Sequence, residues 1–376
     1  MNKYQQYLLA LVKAAITEQA ALMPPENLDW GIFAQYAEEQ QFEHIIYPLL
    51  KDKREEINID EDIWHHLQQR YGRVIKRDMI QDTELEEICN AFSAEKIKHI
   101  PFKGSTVKCY YPYHDLRRSS DFDILVQEEN RKKAGDVLKM LGYEQKSAGQ
   151  TMDDAFRRGK AYVELHFMLT APTATPHEAM KKVWEYAVKD KEYTYKMQPE
   201  FLYVYLLSHL QRHLLSGGGG IKLITDFYVL NKALKFNEEK LNKIMQEAYL
   251  GNLNSCVCEL VNKWFYDEND VNEYTLIIEK LLLSGTAYGD YETAMKMKFS
   301  GDANNKSGFS KIIRFIFPSA EYLKVRYKIL EKYPILLPIM WVRRLTDFKH
   351  YNPKVIVRSA KSEDAGLHDF CKYINK

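Results

Sequence analysis

Six residues limit the fold more than any others: Asp121-Phe122-Asp123-Ile124-Leu125-Val126. The apolar half reads as a β-strand. Strand side chains alternate between faces, so Asp121 and Asp123 project from one side while Phe122 and Ile124 face a core. A sheet built on this strand has one face that needs cover and another that carries acids. Two carboxylates held that close repel and raise each other's pKa unless a cation lies between them. Oxygen-only ligands suit a hard cation such as Mg²⁺, with substrate phosphates completing its shell.

The residues before the acids fit the same picture. Ile97–Phe102 is a short apolar run that reads as a buried strand, and Lys103-Gly104-Ser105 then opens a helix. A glycine at such a turn lets the backbone approach a ligand, and the following N–H groups and the Ser105 hydroxyl can bind phosphate. An ordinary turn is the plainer reading. Arg117 and Arg118 could clamp phosphate oxygens, or simply balance Asp115, Asp121 and Asp123.

Hydrophobic periodicity divides the chain into three parts. Residues 1–95 are helical, with stripes such as Leu8, Leu11, Val12 and Ile16, and a long segment from Asp60 to Ser93. The His65-His66 pair on that segment cannot share a helix face and reads as solvated surface. Residues 96–192 alternate strands (Ile97–Phe102, Asp121–Val126, Tyr143–Lys146, Lys160–Met168) with a helix over Glu128–Leu141 that Gly142 terminates. Residues 193–376 are helical again. Phe201–Leu215 is apolar almost all round, Gly217–Gly220 breaks it, and Ile221–Leu234 and Asn237–Lys263 follow. Ser300–Ser307 is a polar connector suited to a mobile loop, and two more helical runs surround Pro318 and Pro334. The fold class is α+β: a small mixed sheet flanked by N- and C-terminal helical regions.

Charge and cysteine usage narrow the setting. With 53 Lys and Arg against 52 Asp and Glu in 376 residues, no whole-protein field attracts nucleic acid or membrane. The five cysteines include no CxxC pair, which suggests buried thiols in a reducing cytosol. The apolar N-terminal run is broken by Lys13 and lacks a cleavage site, so it reads as an amphipathic helix rather than a signal peptide. Tyr333–Val342, the longest late apolar run, falls far short of the ~20 residues a membrane span needs. A soluble, cytoplasmic protein is expected.

A third acid emerges from Tyr162-Val163-Glu164-Leu165-His166-Phe167, where alternation puts Glu164 and His166 on one face and the apolar residues on the other. Glu-x-His alone would mark no more than a solvent-facing sheet surface. Beside Asp-x-Asp it suggests three converging carboxylates, which could hold two Mg²⁺ ions ~4 Å apart.

Gly-Ser, then Asp-x-Asp on the next strand, then one acid on a later strand resembles the polymerase-β-like nucleotidyltransferase superfamily. More narrowly, the KGS turn, YPYHDLRRSSDFDILV, ELHF and the late FPSAEYLKVRY and LLPIMWVRRL segments resemble a bacterial nucleotidyltransferase family often described as uncharacterised. The resemblance implies that Gly104 and Ser105 contact the nucleotide phosphates; Lys103, Arg117 and Arg118 are the further nucleotide-binding candidates. It implies that Asp121, Asp123 and Glu164 are the catalytic, metal-binding acids, with two Mg²⁺ ions (or Mn²⁺) as cofactors. The expected activity moves a nucleoside monophosphate from an NTP to a hydroxyl of a small molecule, protein or RNA, releasing pyrophosphate. Nucleic acid enters only as such an acceptor, and no membrane span is implied. A non-catalytic nucleotide-binding or scaffold protein retaining the fold is the alternative.

On the acceptor side the candidates are His166, His213, Lys222 and Asp226. Lys222 and Asp226 stand four apart on one helix, which is also the spacing of a plain intrahelical ion pair. Arg314, Arg326, Arg343 and Arg344 could rim a triphosphate or line a solvated helix face. Gly217–Gly220 would then be a flexible lip admitting the acceptor.

Overall fold

The structure, a computed structural model, describes all residues except 149–151, 288, 301–307, 325–326, 346–351 and 363–364. Polar residues at the right offsets start the N-terminal helices. Asn2 and Gln5 form a capping box on α1 (Lys3–Thr17), and the Asp29 carboxylate accepts from Ile32 N at 3.0 Å to open α2 (Trp30–Glu39). After a short helix α3 (Ile46–Leu50), Asp60 caps the 34-residue α4 (Glu61–Ala94). His65 and His66 are exposed on it.

The middle of the chain builds the sheet. β1 (His99–Phe102) leads into the four-residue helix α5 (Gly104–Val107), and β2 (Phe122–Val126) carries the first acids. Helix α6 (Arg131–Met140) follows a 3₁₀ turn over Glu128–Asn130, so the helix expected from Glu128 starts three residues later. At its end Gly142, at φ +84°, donates to Lys139 O while Tyr143 donates to Leu138 O. Then come β3 (Glu144–Ser147), β4 (Asp153–Arg158) and β5 (Ala161–His166). The sheet order is β1-β2-β5-β4-β3, with β2 and β5 parallel and the other pairs antiparallel. β4, between β5 and β3, was not expected from the sequence. Nor was the hairpin of β6 (Ala187–Lys189) and β7 (Tyr195–Met197), which follows the short helix α7 (His177–Met180).

One sheet face packs on α4 and α6. Phe122, Ile124, Val126, Val163 and Leu165 join Ile88, Phe92, Val137 and Leu138 in a closed apolar cluster. The opposite face meets the next helices, α8 (Pro199–Leu215) and α9 (Lys222–Ala233). There the Phe102 ring stands 5.4 Å from Tyr205, and the Tyr111 hydroxyl donates to Asp226 at 2.7 Å. Helices α10 (Glu238–Ala248), α11 (Gly251–Tyr266) and α12 (Glu273–Ser284) complete a large core shared with α1 and α2. The described residues beyond them carry seven more α-helices: α13 (Tyr291–Ser300), α14 (Gly308–Ile316), α15 (Ala320–Lys324), α16 (Ile329–Lys332), α17 (Leu337–Leu345), α18 (Pro353–Lys361) and α19 (Ala365–Tyr373).

The glycine run is not a lip. All four of Gly217–Gly220 are buried, and Gly217 and Gly218 take φ of +104° and +110°. A Cβ on Gly217 would lie 2.4 Å from Asp290 O, and one on Gly218 2.6 Å from Leu281 O. The glycines let two backbones touch, which only residues without Cβ allow. Cysteines also depart from expectation: Cys256 and Cys371 are buried, but Cys109 and Cys258 are exposed. Residues 301–307 of the expected mobile connector, and Arg326, lie outside the described residues. Among the described residues no helix is long and apolar enough to cross a membrane.

Candidate active site

The parallel pairing of β2 with β5 sets Asp123 directly opposite Glu164. His166, two residues further along β5, reaches back across the same face. Its Nε2 lies 2.9 Å from Asp123 Oδ1 and 3.3 Å from Glu164 Oε2. The Phe102 ring meets the His166 ring edge-on at 5.0 Å, walling the group from β1. Asp121, one residue before β2, completes the acids, and Ser119 Oγ donates to its carbonyl at 3.0 Å. A ligand atom from each of Asp123, Glu164 and His166 can fall within 4.8 Å of the others, the spacing of a metal site.

Lys103 sits in the middle of this group. Its ammonium contacts Asp123 Oδ1 and lies 3.6 Å from Glu164 Oε2. It comes from a strained backbone, φ 54° and ψ −129°, at the turn between β1 and α5. A non-glycine residue held there costs of order 1–3 kcal/mol, which marks functional turns more often than incidental ones. The neighbouring glycine has a different reason from the one the sequence suggests. A Cβ on Gly104 would fall 2.6 Å from Ser119 Oγ, so this glycine lets the turn seat against the loop that holds Asp121. Ser105 Oγ donates to Phe102 O at 2.9 Å, bracing the same turn.

Electrostatics divide the acids. Burial works against the Asp123 charge, but Lys103 and His166 outweigh it and hold this carboxyl well below the ordinary range. Asp121 goes the other way: burial, then the charges of Asp123 and Glu164, raise it above a usual aspartate despite Lys103 and Lys222. Burial opposes a charge on His166, yet its bonds to Asp123 and Glu164 raise its pKa. Lys103 is likewise raised, its desolvation exceeded by the attraction of Asp123.

These residues suit a divalent cation. Asp121 retains unrelieved repulsion that a second positive charge would remove, and the donor set is rich in hard carboxylate oxygens. His166 Nδ1 is buried without a hydrogen bond among the described residues, with Asp153 Oδ2 at 4.0 Å. Lys103 now occupies the position of counter-ion, so an ion bound here would compete with this lysine for Asp123.

The remaining sequence candidates fall in two places. The Arg117 fork is filled by Asp226, with Nε and Nη2 at 2.6 and 2.8 Å from its two oxygens. Asp226 therefore pairs across to the loop before β2, in place of the intrahelical pair that the spacing allowed. Arg118 Nη1 binds both oxygens of buried Glu43, at 2.7 and 3.0 Å. Both arginines thus tie the acid-bearing loop to the helices around it. Lys222 Nζ donates to Gln41 Oε1 at 2.8 Å. Burial, then Arg117, press its pKa to about 7 against the pull of Asp226 and Asp121. His213 Nε2 meets His209 Nε2 at 3.1 Å, and burial lowers His213 to about 3. Of the late arginines, Arg344 donates to Phe315 O at 2.6 Å and faces its own helices.

Sequence reasoning missed Ser119, Glu43 and Tyr205. Serine beside Asp-x-Asp is a weak signal, and Glu43 and Tyr205 are distant in sequence and recognisable only once the helices dock.

Comparison with known proteins gave three results. A family model described as an uncharacterised nucleotidyltransferase matches residues 26–266. A solved structure titled as the solution structure of antibiotic-resistance factor ANT(2'')-Ia, with substrate-regulated conformation dynamics, aligns at a TM-score of 0.36 and 13% identity. That alignment covers 49% of this chain and 96% of the other. No curated protein matches.

Proposed function

The chain belongs to the uncharacterised nucleotidyltransferase family, and we propose that it transfers a nucleoside monophosphate from an NTP to a hydroxyl acceptor. In this reading the acceptor hydroxyl gives up its proton to water, its oxygen bonds to the α-phosphorus, the bond from that phosphorus to the bridging β-phosphate oxygen breaks, and pyrophosphate leaves. The observation that carries the proposal is the convergence of Asp123 and Glu164 across paired strands, with Asp121 at the strand entrance.

Asp121, Asp123 and Glu164 are the residues that would hold Mg²⁺ or Mn²⁺. Such ions neutralise phosphate charge and lower the pKa of an attacking oxygen. Glu164 keeps 29% side-chain exposure against 3% for Asp123, so of these two acids it is the more open to an incoming hydroxyl. His166 orients Asp123. Lys103, once displaced from Asp123, is placed to meet the triphosphate, with Gly104 and Ser105 beside it. Arg117 and Arg118 act by fixing the loop. Lys222, from α9, supplies adjustable positive charge on the far side.

The contact of Lys103 with Asp123 favours a second reading, in which the chain binds nucleotide without turnover. One experiment separates them. Each of the four NTPs is incubated with Mg²⁺ or Mn²⁺ and cell extract as acceptor source, and pyrophosphate release is compared with that of Glu164→Gln. Release lost in the variant, with NTP binding retained by calorimetry, supports transfer. Binding without release from either protein supports the second reading.

A further inference from the structure

Outside the acidic site, the strongest unexplained feature is the segment from Gly308 to Leu345. Among the described residues twenty-two large apolar side chains are exposed, and nine of them lie here: Phe309, Ile313, Phe317, Tyr322, Ile329, Tyr333, Ile335, Ile339 and Val342. The same segment carries eight Lys and Arg against two Glu, whereas the whole chain is nearly neutral with 53 against 52. The rest of the protein is therefore net negative by sequence, and of the cations in this segment Lys328, Lys332 and Arg343 are exposed whereas Arg344 is buried.

The two principal helices are apolar on both sides. In α14, Ile312, Phe315 and Ile316 pack inward, while Phe309 at 73% and Ile313 at 42% exposure face out. In α17, Leu337, Met340 and Trp341 pack inward, while Ile339 at 58% and Val342 at 66% face out, with Ile335 at 86% just before them. The helices are joined where Trp341 Nε1 donates to Pro318 O at 2.9 Å and its ring meets Phe317 at 5.4 Å. A helix that is apolar all round needs an apolar partner on every side. Here one side has none among the described residues. The spacing of Ile335, Ile339 and Val342 forms one continuous stripe. Lys328, Lys332 and Arg343 are exposed around it.

We propose that this segment docks on the surface of an anionic lipid bilayer, with α17 and the turn before it lying in the interface. Isoleucine and valine would enter the acyl boundary, tyrosines sit at headgroup depth, and the flanking lysines and arginines meet lipid phosphates. Among the described residues no helix is long and apolar enough to cross a membrane, and the attachment proposed is peripheral and reversible. Charge selects lipid over a second copy of the chain: two such segments face to face would bring like charges together. The proposal stands whether or not the acidic site turns over nucleotide.

The test is sedimentation of the full chain with vesicles of equal parts phosphatidylglycerol and phosphatidylcholine, beside pure phosphatidylcholine. Binding is expected to the anionic vesicles only, and to weaken as salt rises toward 1 M, where screening acts over about 3 Å. Ile335→Asp with Ile339→Asp should reduce binding at least about tenfold. Lys328→Ser with Lys332→Ser, which touches no core position, should weaken it and flatten the salt dependence. The proposal is overturned if the full chain stays in solution with anionic vesicles at low salt, or if both double variants bind as it does. It is also overturned if the chain is a dimer that the isoleucine variant converts to monomer while vesicles bind neither form.

Discussion

Lys103 places its ammonium on the Asp123 carboxylate, inside the group of acids that a divalent cation would also seek. The protein thus supplies its own counter-ion: the acids are compensated without metal, and a metal must compete for them. Two consequences are opposite in sign. Without a cation, Lys103 keeps buried Asp123 ionised; a cation bound there would free Lys103 toward solvent or substrate.

Lys103→Met should therefore destabilise the metal-free protein and sharpen its response to Mg²⁺. Breaking a buried pair by removing one partner costs about 3–5 kcal/mol. Mg²⁺ should restore much of that loss in the variant while stabilising the parent less. Thermal melts of both proteins with and without Mg²⁺ decide it. Equal stabilisation of the two would mean that Lys103 and the ion do not share a position.

The two aspartates should separate on substitution. Asp121 is raised by burial and by Asp123 and Glu164, so Asp121→Asn removes repulsion and should leave stability unchanged or higher without metal. Asp123 is lowered by Lys103 and His166, so Asp123→Asn strands the Lys103 ammonium, removes the carboxylate partner of His166 and should cost several kcal/mol. Both should lose transfer activity. Urea unfolding in EDTA, run beside an activity assay, checks the pair. Matched stability losses would contradict the assignment of opposite environments.

Much of this site was legible because strand alternation is strict. Asp123 and Glu164 each had to share a face with their neighbours two residues away, and parallel pairing of their strands then placed them side by side. β4 was hidden by its charges. Asp153-Asp154-Ala155-Phe156-Arg157-Arg158 reads as polar turn, yet Asp154 is buried because Arg131 holds both of its oxygens at 2.7 Å. Pairing across the fold cancels polarity that a single sequence cannot discount. The same is true of Arg118 with Glu43, 75 residues apart. Glycine composition misled in the other direction: Gly217–Gly220 suggests freedom, but positive φ and backbone contact make it one of the most confined stretches.

Acid should weaken the fold through His44. This ring is fully buried, and burial, with Arg118 and Arg70 adding repulsion, lowers its pKa to about 3 from the ordinary 6.5. The unfolded chain therefore binds a proton between those values that the folded chain refuses. Stability is full above about pH 6.5 and falls as pH drops toward 3, by about 2 kcal/mol from this residue by pH 5. His44→Gln should flatten that slope, even where it lowers stability at neutral pH. Urea melts from pH 7 to 5 measure it. A variant as acid-sensitive as the parent would exclude His44 as the source.

Lys222 should report the arrival of the triphosphate. Burial and Arg117 press its pKa to about 7, so it is largely neutral at pH 8 and charged at pH 5.5. Since the unfolded lysine titrates near 10.5, the folded chain binds fewer protons between about 7 and 10.5, and stability rises with pH across that window. A polyanion bound beside Asp121 raises the pKa of Lys222, because its negative charge favours the ammonium. NTP binding at pH 8 should then take up a fraction of a proton, and binding at pH 5.5 should take up none through this residue. Calorimetry in two buffers of different ionisation enthalpy measures the uptake. Lys222→Met should abolish it, slow transfer and leave the melting temperature at pH 7 equal or higher, since a partly desolvated charge has been removed. Uptake that persists in Lys222→Met would place the titrating group elsewhere and separate Lys222 from the nucleotide.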